Sequence, residues 1–224
     1  MPRSDLYPHG NDNGKEEVPW MAGEESRRLP YVCSVKGFIM MRHEFVATRN
    51  DSILLVVDFQ MAMLKVIASW EKTARKVNQL TQAAHALGIP LLVTEQYRKG
   101  LGETIPEVAR EMESPTVFQK EHFSACLEPD FLSTLRAFDR TKVVLVGMET
   151  HVCVLQTGLD LIKAGYQVQL VADAVASRTT EDRDIAIALL REAGAVITST
   201  EIVIFQWACR ANTDEFRRIL PIVK

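Results

Sequence analysis

Short apolar runs recur along the chain, and most of them are continuous rather than alternating. Ser52 to Val57 (SILLVV) is the first clear one, and Val143 to Val146 (VVLV) is the most strongly β-branched. A run with no polar alternation predicts a strand buried on both faces. Pro90–Val93, Pro115–Gln119, Gln167–Ala172 and Ala195–Thr198 complete the predicted strands. Amphipathic stretches lie between them. Trp70 to Leu87 is a long helical pattern closed by Gly88, and Pro129 to Phe138 has proline near its first turn. A third helix starts near Thr150 and ends at Gly165. A fourth, Glu181 to Ala193, is capped by Thr179 or Thr180 and ends at Gly194. Glu201–Trp207 and Thr213–Leu220 read as closing helices. Strands alternating with helices predict an α/β fold with a parallel sheet covered on both faces.

The first fifty residues break this pattern. Asp12, Glu16, Glu17, Glu24 and Glu25 are mixed with Pro, Gly and Asn without periodicity. Residues 1–50 are expected to form an N-terminal extension, largely disordered over 1–30. Tyr31–Met41 is expected to dock loosely or trail, and 51–224 to form one domain. The extension carries too many acidic residues for a mitochondrial transit peptide. Composition changes little in this picture: 47% hydrophobic and 25% charged residues are ordinary for a globular chain. A net charge of −3 predicts no nucleic-acid partner, and no apolar run is long enough to predict a membrane span. The 4 cysteines, Cys33, Cys126, Cys153 and Cys209, include no CxxC pair. That spacing argues against a disulfide framework or zinc knuckle and points to a reducing, cytoplasmic location.

Candidate chemistry collects at strand ends. In an open parallel sheet, ligands bind beyond the carboxyl ends of the strands, where strand order reverses. Asp58 leaves the first strand, Lys120 the third, and Cys153 opens the helix after the fourth. A cysteine in an apolar stretch commonly packs as a small hydrophobe, and most lysines are solvated. Together, however, these three supply a nucleophile, a carboxylate to take its proton and a cation. The unpaired N–H groups of a first helical turn are expected to favour a Cys153 thiolate and, near Glu149 and Cys153, to hold an oxyanion. Gln60, Glu95, Gln96 and Tyr97 follow the first two strands and are candidate pocket residues, or loop residues with local hydrogen bonds. The glycine-rich loop Arg98–Pro106 lacks the GxxxxGK[ST] phosphate signature.

At this point the chain resembles a known family, the isochorismatase-like cysteine hydrolases. The resemblance runs from Asp51 to about Lys224. It is carried by LLVVDFQ (Leu54–Gln60), the lysine of VFQKEHFS (Val117–Ser124), VVLVGMETHVCV (Val143–Val154), VADAVASRTTEDR (Val171–Arg183) and AGAVITSTE (Ala193–Glu201). The loop TEQYRKGLGETIPEV (Thr94–Val108) is most similar to the isochorismatase-domain-containing subgroup.

The resemblance implies an Asp58–Lys120–Cys153 triad and a six-stranded parallel sheet in a three-layer α/β/α fold. It also implies a cis peptide at Met148–Glu149 that turns the Glu149 N–H into the oxyanion hole, and a tendency to form homo-oligomers. The loop after the second strand holds no histidine, so no nicotinamidase-type metal is expected, nor any cofactor. His151 is read as packing or capping its helix ahead of contacting substrate. The expected activity is metal-independent hydrolysis of a small-molecule amide or related C–N bond through a thioester. The rival readings are a silent scaffold acting through oligomerisation and a redox-sensing thiol.

Overall fold

The centre of the molecule is a parallel sheet whose middle strands are buried on both sides, as their unbroken apolar sequences require. The computed structural model describes residues 32–35, 38–112 and 115–224, with side chains from residue 42 onward. In chain order the sheet strands are β3 (Ser52–Val57), β4 (Leu91–Gln96), β5 (Thr116–Lys120), β6 (Lys142–Met148), β7 (Gln167–Ala176) and β8 (Val196–Thr198). They lie in the order β5-β4-β3-β6-β7-β8, all parallel. The chain therefore builds outward from β3 to one edge, returns to pair β6 with β3, and builds to the other edge. The β3–β6 seam is the point where strand order reverses, and its carboxyl end is where a crevice forms.

Two cores cover the sheet. On one face Leu54, Val56, Val144 and Val146 pack with Val77 and Leu80 of α1 (Trp70–Leu87). Val203 and Trp207 of α7 (Thr200–Ala208) and Ile219 of α8 (Asp214–Val223) complete that core. On the other face Ile53, Leu55, Val143 and Leu145 pack with Phe131 and Leu135 of α4 (Phe131–Ala137). Leu161 of α5 (Leu155–Lys163) and Leu190 of α6 (Thr180–Glu192) lie in the same core. Alternate residues of each strand thus feed opposite cores, the period-2 rule applied to a strand with no wet face. Two short helices, α2 (Arg98–Leu101) and α3 (Pro106–Ala109), occupy the loop after β4. Helix ends follow local chemistry: Gly88 closes α1 in the left-handed conformation, and Thr179 Oγ1 accepts the Asp182 N–H to cap α6.

The structure departs from the sequence reading in several places. The expectation for residues 1–30 lies outside the described residues. Segment 31–41, expected to dock loosely or trail with no strand assigned to it, contains a two-stranded antiparallel sheet, β1 (Val32–Val35) with β2 (Phe38–Met41). Residues 44–47, assigned by sequence to the extension, are tied to the folded unit. Lys142 Nζ donates to the Glu44 and Val46 carbonyls at 2.7 and 2.6 Å, Gln169 Nε2 to the Phe45 carbonyl at 3.0 Å, and the Ala47 N–H to Gln206 Oε1 at 2.9 Å. β4 runs on through Gln96, and β7 on to Ala176. A register shift between Leu145 and Gly147 puts extra β7 residues opposite β6. Asp173 therefore lies inside β7, where its carboxylate accepts the Thr200 N–H at 2.8 Å and supports the start of α7. No helix among the described residues is long and apolar enough to cross a membrane.

Candidate active site

Asp58 is the first residue beyond β3, in a left-handed backbone conformation (φ 50°) that turns its carboxylate back over the strand end. Its N–H donates to the Thr94 carbonyl at 3.1 Å, and Thr94 Oγ1 donates to its Oδ1 at 2.7 Å. Lys120 ends β5, the edge strand, and its long stem spans β4 to reach the seam. Lys120 Nζ lies 2.8 Å from Asp58 Oδ2, and the two side chains are 0% and 5% exposed. The ammonium also donates to Gln96 Oε1 at 2.6 Å and to the His122 and Phe123 carbonyls at 3.2 and 3.1 Å. A buried charge persists only when paired and hydrogen-bonded, and this one has both.

Cys153 approaches from β6. Gly147 is required where β6 leaves the sheet: a Cβ there would stand 2.1 Å from the Val57 carbonyl oxygen, with φ at 142°. Glu149 then turns the chain through left-handed backbone (φ 56°, ψ 58°). Thr150–Val154 forms a π turn that leads into α5. Such single π turns add one residue to a helical turn and recur at functional sites. The Cys153 thiol is buried beside the Asp58–Lys120 pair, with Sγ 4.0 Å from Gln96 Oε1.

Two expectations need correction here. No cis peptide occurs among the described residues, so Met148–Glu149 is trans, and the left-handed Glu149 makes the turn instead. Nor is the resting thiol tuned toward thiolate. Burial pushes Cys153 up to about 12, and the Asp58 carboxylate adds to the rise. The Lys120 ammonium offsets only part of it. Desolvation and a like charge outweigh the helix-start field on which the sequence reading relied.

The structure brings Asp58, Lys120 and Cys153 together and distributes the remaining candidates around them. Gln60 is fully buried and holds backbone: its Nε2 donates to the Gln96 and Gly102 carbonyls at 3.0 and 2.6 Å, and its Oε1 accepts the Gln96 N–H at 2.8 Å. Glu95 faces the other way. Its Oε1 accepts the Thr104 N–H and hydroxyl at 2.8 and 2.9 Å, and its Oε2 pairs with Arg98 at 3.4 Å, which fastens the loop after β4. Gln96 lies between Lys120 and Cys153. Tyr97 is 55% exposed at the rim, with left-handed backbone (φ 36°) and its N–H on the Lys120 carbonyl at 2.8 Å. His151 Nδ1 bonds Ser177 Oγ at 3.0 Å and its Nε2 meets Arg178 at 3.2 Å. Arg178 in turn pairs with Glu149 at 3.2 Å. His122 turns to Glu128, 2.8 Å away. Sequence reasoning missed Thr94, the hydroxyl that orients Asp58. Its signal was a polar residue directly after Leu91–Val93, in a strand otherwise buried.

The surroundings of this cluster match known proteins. Residues 52–202 match the Isochorismatase domain. The chain is 38% identical over 179 residues to the secreted isochorismatase effector Isc1 of Phytophthora sojae, covering 78% of this chain and 85% of that protein. It is 35% identical over 175 residues to isochorismatase domain-containing protein 2 of Xenopus laevis, covering 78% and 84%. Among solved structures, MAR1 ribonuclease from Caenorhabditis elegans superposes with a TM-score of 0.75 at 36% identity, over 79% of this chain and 91% of that one. The domain match takes in every strand of the parallel sheet and the polar cluster at its switch point, and the chain belongs to the isochorismatase family, whose fold is that of a hydrolase.

Proposed function

We propose that the protein is a cysteine hydrolase that cleaves a small-molecule amide or related C–N bond. The observation that carries this reading is a buried Lys120–Asp58 ion pair abutting a buried thiol at the β3–β6 switch point. A buried ion pair adds little to stability over an apolar pair of the same size, and one set against a thiol in a strand-end crevice is the kind of arrangement that functional sites use. In the proposed course, Cys153 Sγ attacks the substrate carbonyl carbon as its proton passes to Asp58, so no free thiolate need accumulate. Lys120 stabilises the sulfur as charge develops on it. N–H groups at the start of the π turn, near Glu149 and Cys153, receive the carbonyl oxygen as it becomes an oxyanion. Asp58 then hands its proton to the departing nitrogen as the C–N bond breaks, leaving a thioester. Water attacks the thioester and gives its proton to Asp58, and the acid departs while the thiol recovers that proton. No step in this course calls for a metal. Tyr97, exposed beside Lys120, is a residue available to contact the substrate.

The test is a panel of small primary amides and N-carbamoyl compounds, followed by acid release, with the parent chain and Cys153→Ala. The expected outcome is a hydrolysed member whose turnover Cys153→Ala lowers by at least about 100-fold. Turnover unchanged in Cys153→Ala would rule the reading out. RNA is assayed in parallel, because one relative carries a ribonuclease name. The net charge of −3 leads us to expect no Cys153-dependent RNA cleavage. Homo-oligomer formation belongs to the same proposal. It is supported by exposed Ile185 and Leu189, one turn apart on α6, with partly exposed Leu159 on neighbouring α5. A monomeric mass by light scattering would contradict it.

A further inference from the structure

Gln96 holds a position that neither substrate binding nor loop structure accounts for. Its amide is fixed at both ends. Nε2 donates to the Glu121 carbonyl at 2.6 Å, so the group cannot flip without losing that bond. Oε1 is thereby aimed inward, where it accepts from Lys120 Nζ at 2.6 Å and lies 4.0 Å from Cys153 Sγ. The backbone of Gln96 is braced as well, because Gln60 takes both its N–H and its C=O through one side chain. Asp58 also faces the thiol, but its Oδ1 accepts from Thr94 and its Oδ2 faces Lys120, whereas Gln96 Oε1 touches both the ammonium and the sulfur.

We infer that Gln96 is a positioning residue for the nucleophile: its side-chain oxygen, held by Gln60 and the Glu121 carbonyl, accepts the resting Cys153 S–H and keeps the Lys120 ammonium in line between thiol and carboxylate. The inference rests on the proposed role of Cys153 but concerns the thiol's resting state rather than turnover. A hydrogen bond accepted from the neutral thiol favours the protonated form, so Gln96 holds the proton on sulfur until a substrate arrives. The geometry also accounts for two buried glutamines in a site where only one touches the reacting groups: Gln60 acts through Gln96.

The experiment is iodoacetamide labelling of Cys153 against pH, read by peptide mass in the full chain, with half-buried Cys126 as the reporter of loosening and exposed Cys209 as the reference for an accessible thiol. Gln96→Glu places a negative charge beside the sulfur, and its labelling profile should move to higher pH. At a fixed pH below the midpoint, Cys153 should then label about tenfold more slowly for each pH unit that the profile moves. Gln96→Leu removes the acceptor, and its profile should move to lower pH with faster labelling, even as kcat falls. A merely structural role would send both variants the same way or neither. Profiles that coincide with the parent, or move in one common direction while Cys126 and Cys209 label as before, overturn the inference. If Gln96→Leu exposes Cys126 together with Cys153, Gln96→Glu decides alone: an unmoved or lowered profile overturns the inference, a raised one supports it. The two proposals fail separately. Hydrolysis that survives Cys153→Ala removes the proposed function and leaves this titration standing, whereas an unmoved titration leaves the nucleophile in place.

Discussion

Asp58 acts on Cys153 in two opposed ways, and this gives the cleanest prediction at the level of single residues. After burial, its charge is what most favours the proton on sulfur at rest, and in the proposed chemistry it is the base that removes it. Asp58→Asn takes away the charge while keeping the size. Cys153 should then alkylate faster at neutral pH, because one of the causes that raise its proton affinity is gone. Turnover should nevertheless fall by about 100-fold or more, because no base remains. Labelling and catalysis moving in opposite directions is the expected result, measured on one preparation by peptide mass and acid release. If both fall together, Asp58 holds the fold rather than the proton.

At the level of elements, the site depends on how closely β3 and β6 approach at their carboxyl ends. Val57 pairs with Gly147. One residue past Val57 stands Asp58, and two past Gly147 stands Glu149, which aims the π turn. Gly147→Ala would drive a Cβ to 2.1 Å from the Val57 carbonyl oxygen. The strands must part, and overpacking of this kind costs about 1–3 kcal/mol. Urea unfolding should show that loss, and because both arms of the site move, kcat should fall more than the stability change alone explains. A variant as stable as the parent would mean that the seam has room for a methyl group after all.

For the whole molecule, two features extend beyond the sheet. The segment before β3 clasps the domain through Lys142, Gln169 and Gln206. A chain begun at Asp51 should be less stable than the full chain by at least about 1.5 kcal/mol, the value of one hydrogen bond to a charged group, as read from urea midpoints. Equal midpoints would make the clasp incidental. The second feature is alkaline sensitivity. Burial pushes both Cys126 and Cys153 up to about 12. Both thiols stay protonated in the folded state while the unfolded chain begins to ionise near its ordinary value of about 8.5. Their contribution to stability is therefore complete below about pH 8.5 and is lost as pH rises toward about 12. The parent should lose thermal stability across that window faster than the Cys126→Ser/Cys153→Ser double variant. Parallel decline of the two would mean that these thiols do not govern it.

Much of this was legible along the chain, and the reason is range. The hydrophobic run of Ser52–Val57, the amphipathic period of Trp70–Leu87, the cap at Thr179 and the stop at Gly88 are each set by residues within a few positions of one another. Their order fixed a parallel α/β sheet, and the sheet's switch point fixed where Asp58, Lys120 and Cys153 had to meet. What the sequence could not settle was how the groups at that meeting point act on one another. The protonated state of Cys153 comes from burial and from a carboxylate on another strand, against a local helix-start field that pointed the other way. Gln96 reads as a loop residue until β4 runs further along its pleat and Gln60 reaches across to brace it. Asp173 reads as a strand exit until a register shift draws it inside β7. Gly147 reads as a plain strand break until β6 brings it against the Val57 carbonyl, where a Cβ has no room. Local sequence determined the elements and their order; charge, desolvation and close approach at the strand ends were decided only by tertiary structure, because they depend on atoms that the chain brings together from distant positions.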